Sequence, residues 1–211
     1  MVFKTFFMLS LYIVPYLLIL TSSFSSISVL LFWALIGFGM SGIGLSVMHD
    51  ANHNAYSKNK NVNKWIGYLL NIVGGYDLNW RIQHNVLHHT YTNIIGMDED
   101  VDAGIVLRFT KDQNLKPYHR LQHIYAWFLY GLLTISWLVS KDIIQLIKYN
   151  KKGLLKTQGI SYPKAIASLI FWKSIYVFLI LVLPTLVTGN LGLNIAGFFI
   201  MEFIAGFFLT T

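Results

Sequence analysis

The apolar positions of this chain gather into long runs instead of alternating with polar ones. The first run goes from about Thr5 to Leu20, with Pro15 inside it, and stops at the uncharged, serine-rich turn Thr21-Ser22-Ser23-Phe24-Ser25-Ser26. The second, Ile27 to Met48, is about 22 residues or ~33 Å of helix, enough to cross a hydrocarbon core ~30 Å thick. Together they predict a membrane hairpin. The first run exceeds a typical signal-peptide core and a full span follows it directly, so it reads as retained. A third span is predicted over about Ala167 to Val187. After the uncharged break Thr188-Gly189-Asn190, a fourth runs over Leu191 to Thr211.

Between the hairpins, from His49 to about Arg120, the composition turns polar, with an acidic patch at Asp98-Glu99-Asp100 and Asp102. Within it, Trp65 to Gly75 is apolar but too short to cross, which predicts an interfacial or packed helix. Leu121 to Val139 has the length of a span but lies between two basic flanks. Arg108, Lys111, Lys116 and Arg120 precede it; Lys141, Lys148, Lys151, Lys152 and Lys156 follow. Lys and Arg are retained on the cytoplasmic side, so a single crossing would put one cluster on the wrong face. The segment is therefore expected to be in-plane or re-entrant.

Composition agrees with this layout. The chain is 55% hydrophobic and 12% charged, with a mean hydropathy of +0.55, which excludes a soluble domain and intrinsic disorder. Its formal charge of +7 would prompt a search for nucleic acid, but topology explains it better: the basic residues sit in or beside the segments assigned to the cytoplasm, and no nucleic-acid partner is expected. The predicted fold is an all-α integral membrane protein. It has four transmembrane helices in two hairpins, a cytoplasmic histidine-box region and an interfacial or re-entrant helix. There is no cysteine, so any metal must be held by His, Asp, Glu or Asn.

All seven histidines fall between positions 49 and 123. His49 and His53 are four apart, which on a helix puts both imidazoles on one face. His84-Asn85-Val86-Leu87-His88-His89 repeats the spacing and adds an adjacent ring. One such pair occurs by chance on many solvated helices. Two pairs, one following directly on a span and the other on a short helix able to fold back beneath it, point to metal ligation by His49, His53, His84, His88 and His89. Neutral imidazole suits Zn, Fe, Cu or Ni. His119 and His123 form a third pair, but they immediately precede the aromatic in-plane segment and read as interfacial hydrogen-bonding residues.

At these residues the chain resembles the membrane fatty acid desaturases. His-x-x-x-His follows a membrane hairpin, His-x-x-x-His-His comes some thirty residues later, and then a second hairpin. His49-Asp50, Gln83-His84 and His89-Thr90-Tyr91-Thr92-Asn93 suit the bacterial and front-end-like branch. The resemblance covers essentially the whole chain, residues 1–211, as one desaturase-like membrane domain. It implies an oxygen-dependent acyl desaturase with two non-haem irons on the cytoplasmic side, and makes the five box histidines iron ligands. It further implies a fatty acyl substrate linked to CoA, a carrier protein or a phospholipid, and a separate ferredoxin or cytochrome b5-type electron donor. A third box with two adjacent histidines belongs to the pattern and is absent here, so the sequence reads as the N-terminal part of a longer protein, inactive alone. Histidine-box alkane, sterol or carotenoid hydroxylases share the architecture, and a non-catalytic metal-binding protein or an inactive truncated product stays open.

Several other polar positions have two readings. Asp50, Asn52 and Asn85 are placed to orient imidazole N–H groups or to cap helix ends, and Asp50 is the main candidate for the first role. Trp80 and Arg81 precede the second box, where Arg81 can meet a phosphate or snorkel. Lys173 is expected to snorkel from the third span. Glu202, inside the fourth, reads as a protonated or helix-paired group. Gly37, Gly39, Gly42 and Gly44 in the second span either pack helices closely or border an acyl tunnel.

Overall fold

Among the described residues of the computed structural model, 2–21, 23–101 and 104–211, every regular element is helical. Ser22 of the serine-rich turn and Asp102 of the acidic run lie outside them. Helices α1 (Val2–Ile19) and α2 (Ser26–Asn52) form the first hairpin. Two short helices, α3 (Lys60–Gly67) and α4 (Leu69–Ile72), lead to α5, residues 77–91. After a loop come α6 (Pro117–Gly131) and α7 (Leu133–Lys151), bent against each other by 61°. The short α8 (Leu154–Thr157) precedes a second hairpin of α9 (Tyr162–Thr188) and α10 (Leu191–Thr210). Among the described residues α1, α2, α9 and α10 are the four helices long and apolar enough, each on its own, to cross a membrane.

The uncharged turns end these helices by ordinary capping. Ser25 accepts the Ser28 N–H at the start of α2, and Asn190 accepts the Leu193 N–H at 3.0 Å at the start of α10. Gly189, at φ +66°, supplies the left-handed residue that closes α9. Close packing then rests on small residues. A Cβ on Gly39 would lie 2.6 Å from the Tyr12 backbone nitrogen, and one on Gly37 would lie 2.7 Å from the Met201 carbonyl. Gly37 faces Met201 and Gly44 faces Leu209, so α2 and α10 run parallel and their C-terminal ends emerge on one side. Of the two readings of these glycines, helix packing is the one the contacts describe. Large side chains such as Phe3, Phe6, Leu31 and Leu186 stay exposed where lipid would cover them.

The segment around 121–139 is not one straight helix: it contains the 61° bend between α6 and α7. Trp127 packs on Phe207, and Gly131 on Phe203. Thr134 donates to the Glu202 carbonyl at 2.8 Å, so α6 runs antiparallel to α10 as far as the level of Glu202. There the chain bends by 61° into α7. Both arms end at the same polar segment: Tyr118 donates to the Ile105 carbonyl at 2.6 Å, and Lys148 pairs with Glu99 at 2.5 Å. Lys173 does not snorkel to water. Its ammonium donates to the Gly74 carbonyl at 2.6 Å and the Trp137 carbonyl at 3.1 Å, and pairs with the buried Asp142. An internal carboxylate has taken the place of the interface.

Two apolar clusters result. One is built on Trp33, Ile36, Met40, Tyr176 and Met201 within the bundle. The other packs Ile82 and Leu87 of α5 against Leu146, Tyr149, Leu155 and Leu169, and forms the floor on which the histidine segment rests. Gly39→Ala should cost roughly 1–3 kcal/mol, because the new methyl meets backbone, and should lower the melting temperature in detergent. Gly44→Ala, which meets only the flexible end of Leu209, should melt close to the parent.

Candidate metal centre

Two helical segments bring the histidines together, and both contain widened π-helical turns. α2 is π-helical over Ile43–Met48, directly before His49, and α5 over Arg81–His88, which contains His84 and His88. Such turns are uncommon and concentrate at functional positions. α5 is fixed at its start by a reciprocal pair: Asn71 donates to the Asp77 carboxylate at 2.9 Å and accepts the Asp77 N–H at 3.0 Å. Asn79 then donates to the Asp142 carbonyl at 2.7 Å, tying α5 to α7. Further along, Asn85 donates to the Asn52 carbonyl at 2.9 Å and so joins the two histidine segments directly.

The imidazoles converge. Ring centroids of His49 and His53 are 4.5 Å apart, and His84 lies 5.3 Å from His49 and 5.2 Å from His53. His89 lies 5.0 Å from His53 and 4.9 Å from His84, and His88 stacks on His84 at 5.1 Å. One ligand nitrogen from each of His49, His53 and His84 falls within 4.8 Å of the others, and the same holds for His84, His88 and a carboxylate oxygen of Asp100. His84 belongs to both groups. Trp80 covers the set, stacked on His84 at 4.6 Å and edge-on to His49 and His53 at 5.6 Å each.

Two carboxylates fix the rings of α5. Both oxygens of Asp98 lie 3.0 Å from His88 Nδ1, and Asp100 Oδ2 lies 2.8 Å from His84 Nδ1. A carboxylate there selects the tautomer with the proton on Nδ1 and leaves the Nε2 lone pair for a metal. Asp98 is 1% exposed and accepts the N–H groups of Asn93 at 2.8 Å and Asp100 at 3.0 Å. Burial raises its pKa, but these hydrogen bonds and the one from His88 outweigh it, so the carboxyl is held below the usual carboxylate value. In Asp100 burial is likewise outweighed by hydrogen bonds from His84 and Gln83, and its pKa is lowered too. Five clustered imidazoles, two with a carboxylate behind them, form a donor set that fits a borderline divalent transition metal.

The remaining sequence candidates lie elsewhere or serve packing. Asp50 is 3.6 Å from both His49 Nδ1 and Lys4 Nζ, beyond hydrogen-bond distance. Asn52 reaches the Gly67 carbonyl at 3.4 Å, and neither it nor Asn85 donates to an imidazole. Arg81 pairs with Asp77 at 3.0 Å. His119 accepts the Lys116 N–H at 3.1 Å and faces the Ile105 carbonyl at 3.1 Å, and the His123 carbonyl accepts from Trp127; both serve the loop ahead of α6. Glu202 is buried and accepts from Tyr176. Asp98, Asp100 and Trp80 carried no site role in the sequence. The one available signal was an acid pair spaced two apart, shortly after the second box.

Burial, reinforced by His49, His84 and His89, brings the His53 pKa down to about 4 from 6.5. In the unfolded chain His53 takes up its proton near 6.5, so between those values the unfolded state binds more protons and stability falls with falling pH. Metal-free protein should therefore melt progressively lower from about pH 6.5 to about pH 4, and His53→Gln should flatten that dependence.

A model of the fatty acid desaturase family matches residues 25–211. The chain is 33% identical over 151 residues to an sn-1 linoleoyl-lipid 6-desaturase of Arthrospira platensis, covering 71% of this chain and 40% of that protein. It is 32% identical over 215 residues to an acyl-lipid (8-3)-desaturase of Physcomitrium patens, covering 100% of this chain and 43% of the relative. It thus spans about two fifths of the length of these relatives. No solved structure matches it. With the family model covering most of its length and the histidines of α2 and α5 clustered together, the chain belongs to the fatty acid desaturase family.

Proposed function

We propose that His49, His53, His84, His88 and His89 ligate iron, as part of a site for two non-haem irons, in an oxygen-dependent acyl desaturase acting on a lipid-linked fatty acyl chain. The observation that carries this reading is the convergence of five imidazoles from two segments, with Asp98 and Asp100 set behind His88 and His84. The lipid-linked substrate is supported by the relatives, which are named as acyl-lipid desaturases. A cytoplasmic location for the site is supported by the basic residues on both flanks of the bent α6–α7 pair. Electrons would come from a separate ferredoxin or cytochrome b5-type donor.

Bound iron supplies the O2-dependent removal of hydrogen from an unactivated methylene, a C–H that no side-chain base can deprotonate. The residues of this chain do the positioning. Asp98 and Asp100 hold the Nδ1 protons of His88 and His84 and keep each Nε2 lone pair turned outward. Asn85 keeps the two histidine segments in register. Trp80 covers one side of the cluster with an apolar face and limits water there.

Titration of the detergent-purified chain with Fe(II) under argon, or with Co(II), checks the centre. His84→Ala should abolish most binding, since His84 belongs to both clusters. Asp100→Asn should weaken it about 10- to 100-fold, while Asp50→Asn should change it less than about twofold. For the reaction, lipids from cells expressing the complete coding sequence are analysed by mass. A product lighter by two hydrogens is expected, and one heavier by a single oxygen atom would overturn desaturation in favour of hydroxylation.

A further inference from the structure

The tripeptide Asp98-Glu99-Asp100 faces two ways. Asp98 and Asp100 turn toward His88 and His84, while Glu99, between them, turns to α7. There Tyr149 donates its hydroxyl to Glu99 Oε2 at 2.6 Å, Gln145 donates to the same oxygen at 3.1 Å, and Lys148 pairs with Oε1 at 2.5 Å. The Gln145 amide also donates to Gln83, and Gln83 donates to Asp100. The Glu99 side chain is 8% exposed and Tyr149 is fully buried. Burial raises the Glu99 pKa, yet Lys148, Tyr149 and Gln145 more than offset this and hold the carboxyl below its ordinary value.

We infer that Glu99 is a positioning residue of the metal centre: by pinning the loop to Gln145, Lys148 and Tyr149 of α7, it sets the direction of Asp98 and Asp100, and through them of the His88 and His84 rings. The inference rests on the metal-centre reading above. A short loop cannot aim two carboxylates at two imidazoles unless its own backbone is fixed. The Asp98 carboxylate accepts the Asn93 and Asp100 N–H groups and fixes the loop internally; Gln83, His84 and His88 tie it to α5, and Glu99 ties it to α7. Through this link α7, the second of the two bent helices, takes part in the geometry of the centre.

The test is a double-mutant cycle on the full chain in detergent, with Co(II) as probe and its visible absorption as readout. Tyr149→Phe keeps the buried ring and removes one hydrogen bond to Glu99; Glu99→Gln removes the charge. Each should weaken Co(II) binding about fivefold to tenfold, near the lower edge of the effect of outer-shell partners, and shift the absorption bands. In an Asp98→Asn/Asp100→Asn background the same changes should add less than about twofold, because the path they act through is already cut. Equal factors in both backgrounds, or lowered melting with unchanged affinity and spectrum, would overturn the inference and leave Glu99 a purely structural residue. Failure of the parent chain to take up Co(II) would instead bring down the metal-centre reading itself.

Discussion

The centre depends on one crossing, that of α5 against the end of α2. Neither segment can assemble the cluster alone, because the end of α2 supplies two of the imidazoles and α5 three. The side-chain hydrogen bond from Asn85 to the Asn52 carbonyl spans the crossing, while Asn79 to the Asp142 carbonyl and the reciprocal Asn71–Asp77 pair fix the start of α5 to its other neighbours. An amide carries no charge to desolvate and offers both donor and acceptor. It therefore binds helices at a smaller desolvation cost than an ion pair, although the Oδ1 atoms of Asn79 and Asn85 are buried without a partner among the described residues.

Charged pairs stand beside these amides, Arg81–Asp77 and the partly buried Lys173 with the buried Asp142. The Lys173–Asp142 pair survives because the ammonium has two carbonyl partners besides the carboxylate, at Gly74 and Trp137, so its donors are used. Such a pair adds little stability relative to apolar packing, and its value lies in fixing an arrangement. Here it joins α9, α7 and the loop before α5 at a single point. Within the membrane no water would replace a lost partner, so sliding α7 along α9 would leave a charge bare. Helix α7 is held in one register for that reason.

Much of this was legible in the sequence. The spans follow from run length, and the hairpin turns from the uncharged breaks at Thr21–Ser26 and Thr188–Asn190. The five box histidines stand out by spacing. Asp98 and Asp100 did not, because a loop acid has no periodicity to say which way it faces, and its partners lie ten and sixteen residues back on a helix whose end had not been placed. Asp50, adjacent to a histidine, looked the better orienting group. Adjacent residues on a helix point about 100° apart, however, and its carboxylate stops 3.6 Å from the ring nitrogen. Lys173 misled for a related reason: snorkelling is the rule for an isolated lysine, and Asp142, 31 residues earlier, gave no hint of being its partner.

The π-helical turns accompany a further difference between the two histidine pairs. In an α-helix of 3.6 residues per turn, a step of four overshoots a full turn. With i→i+5 bonding the turn is wider, so the same step falls short of it. His84 and His88 both lie in such a turn and their rings stack at an interplanar angle of 14°. His49 and His53 follow one, across an ordinary helical turn, and meet at 69°. The stacked pair points its nitrogens the same way, which lets Asp98 and Asp100, two residues apart, reach both Nδ1 atoms from one side. The crossed pair spreads its nitrogens, and His84 fits against both rings. Histidines at one spacing thus serve two geometries, which the spacing alone does not reveal.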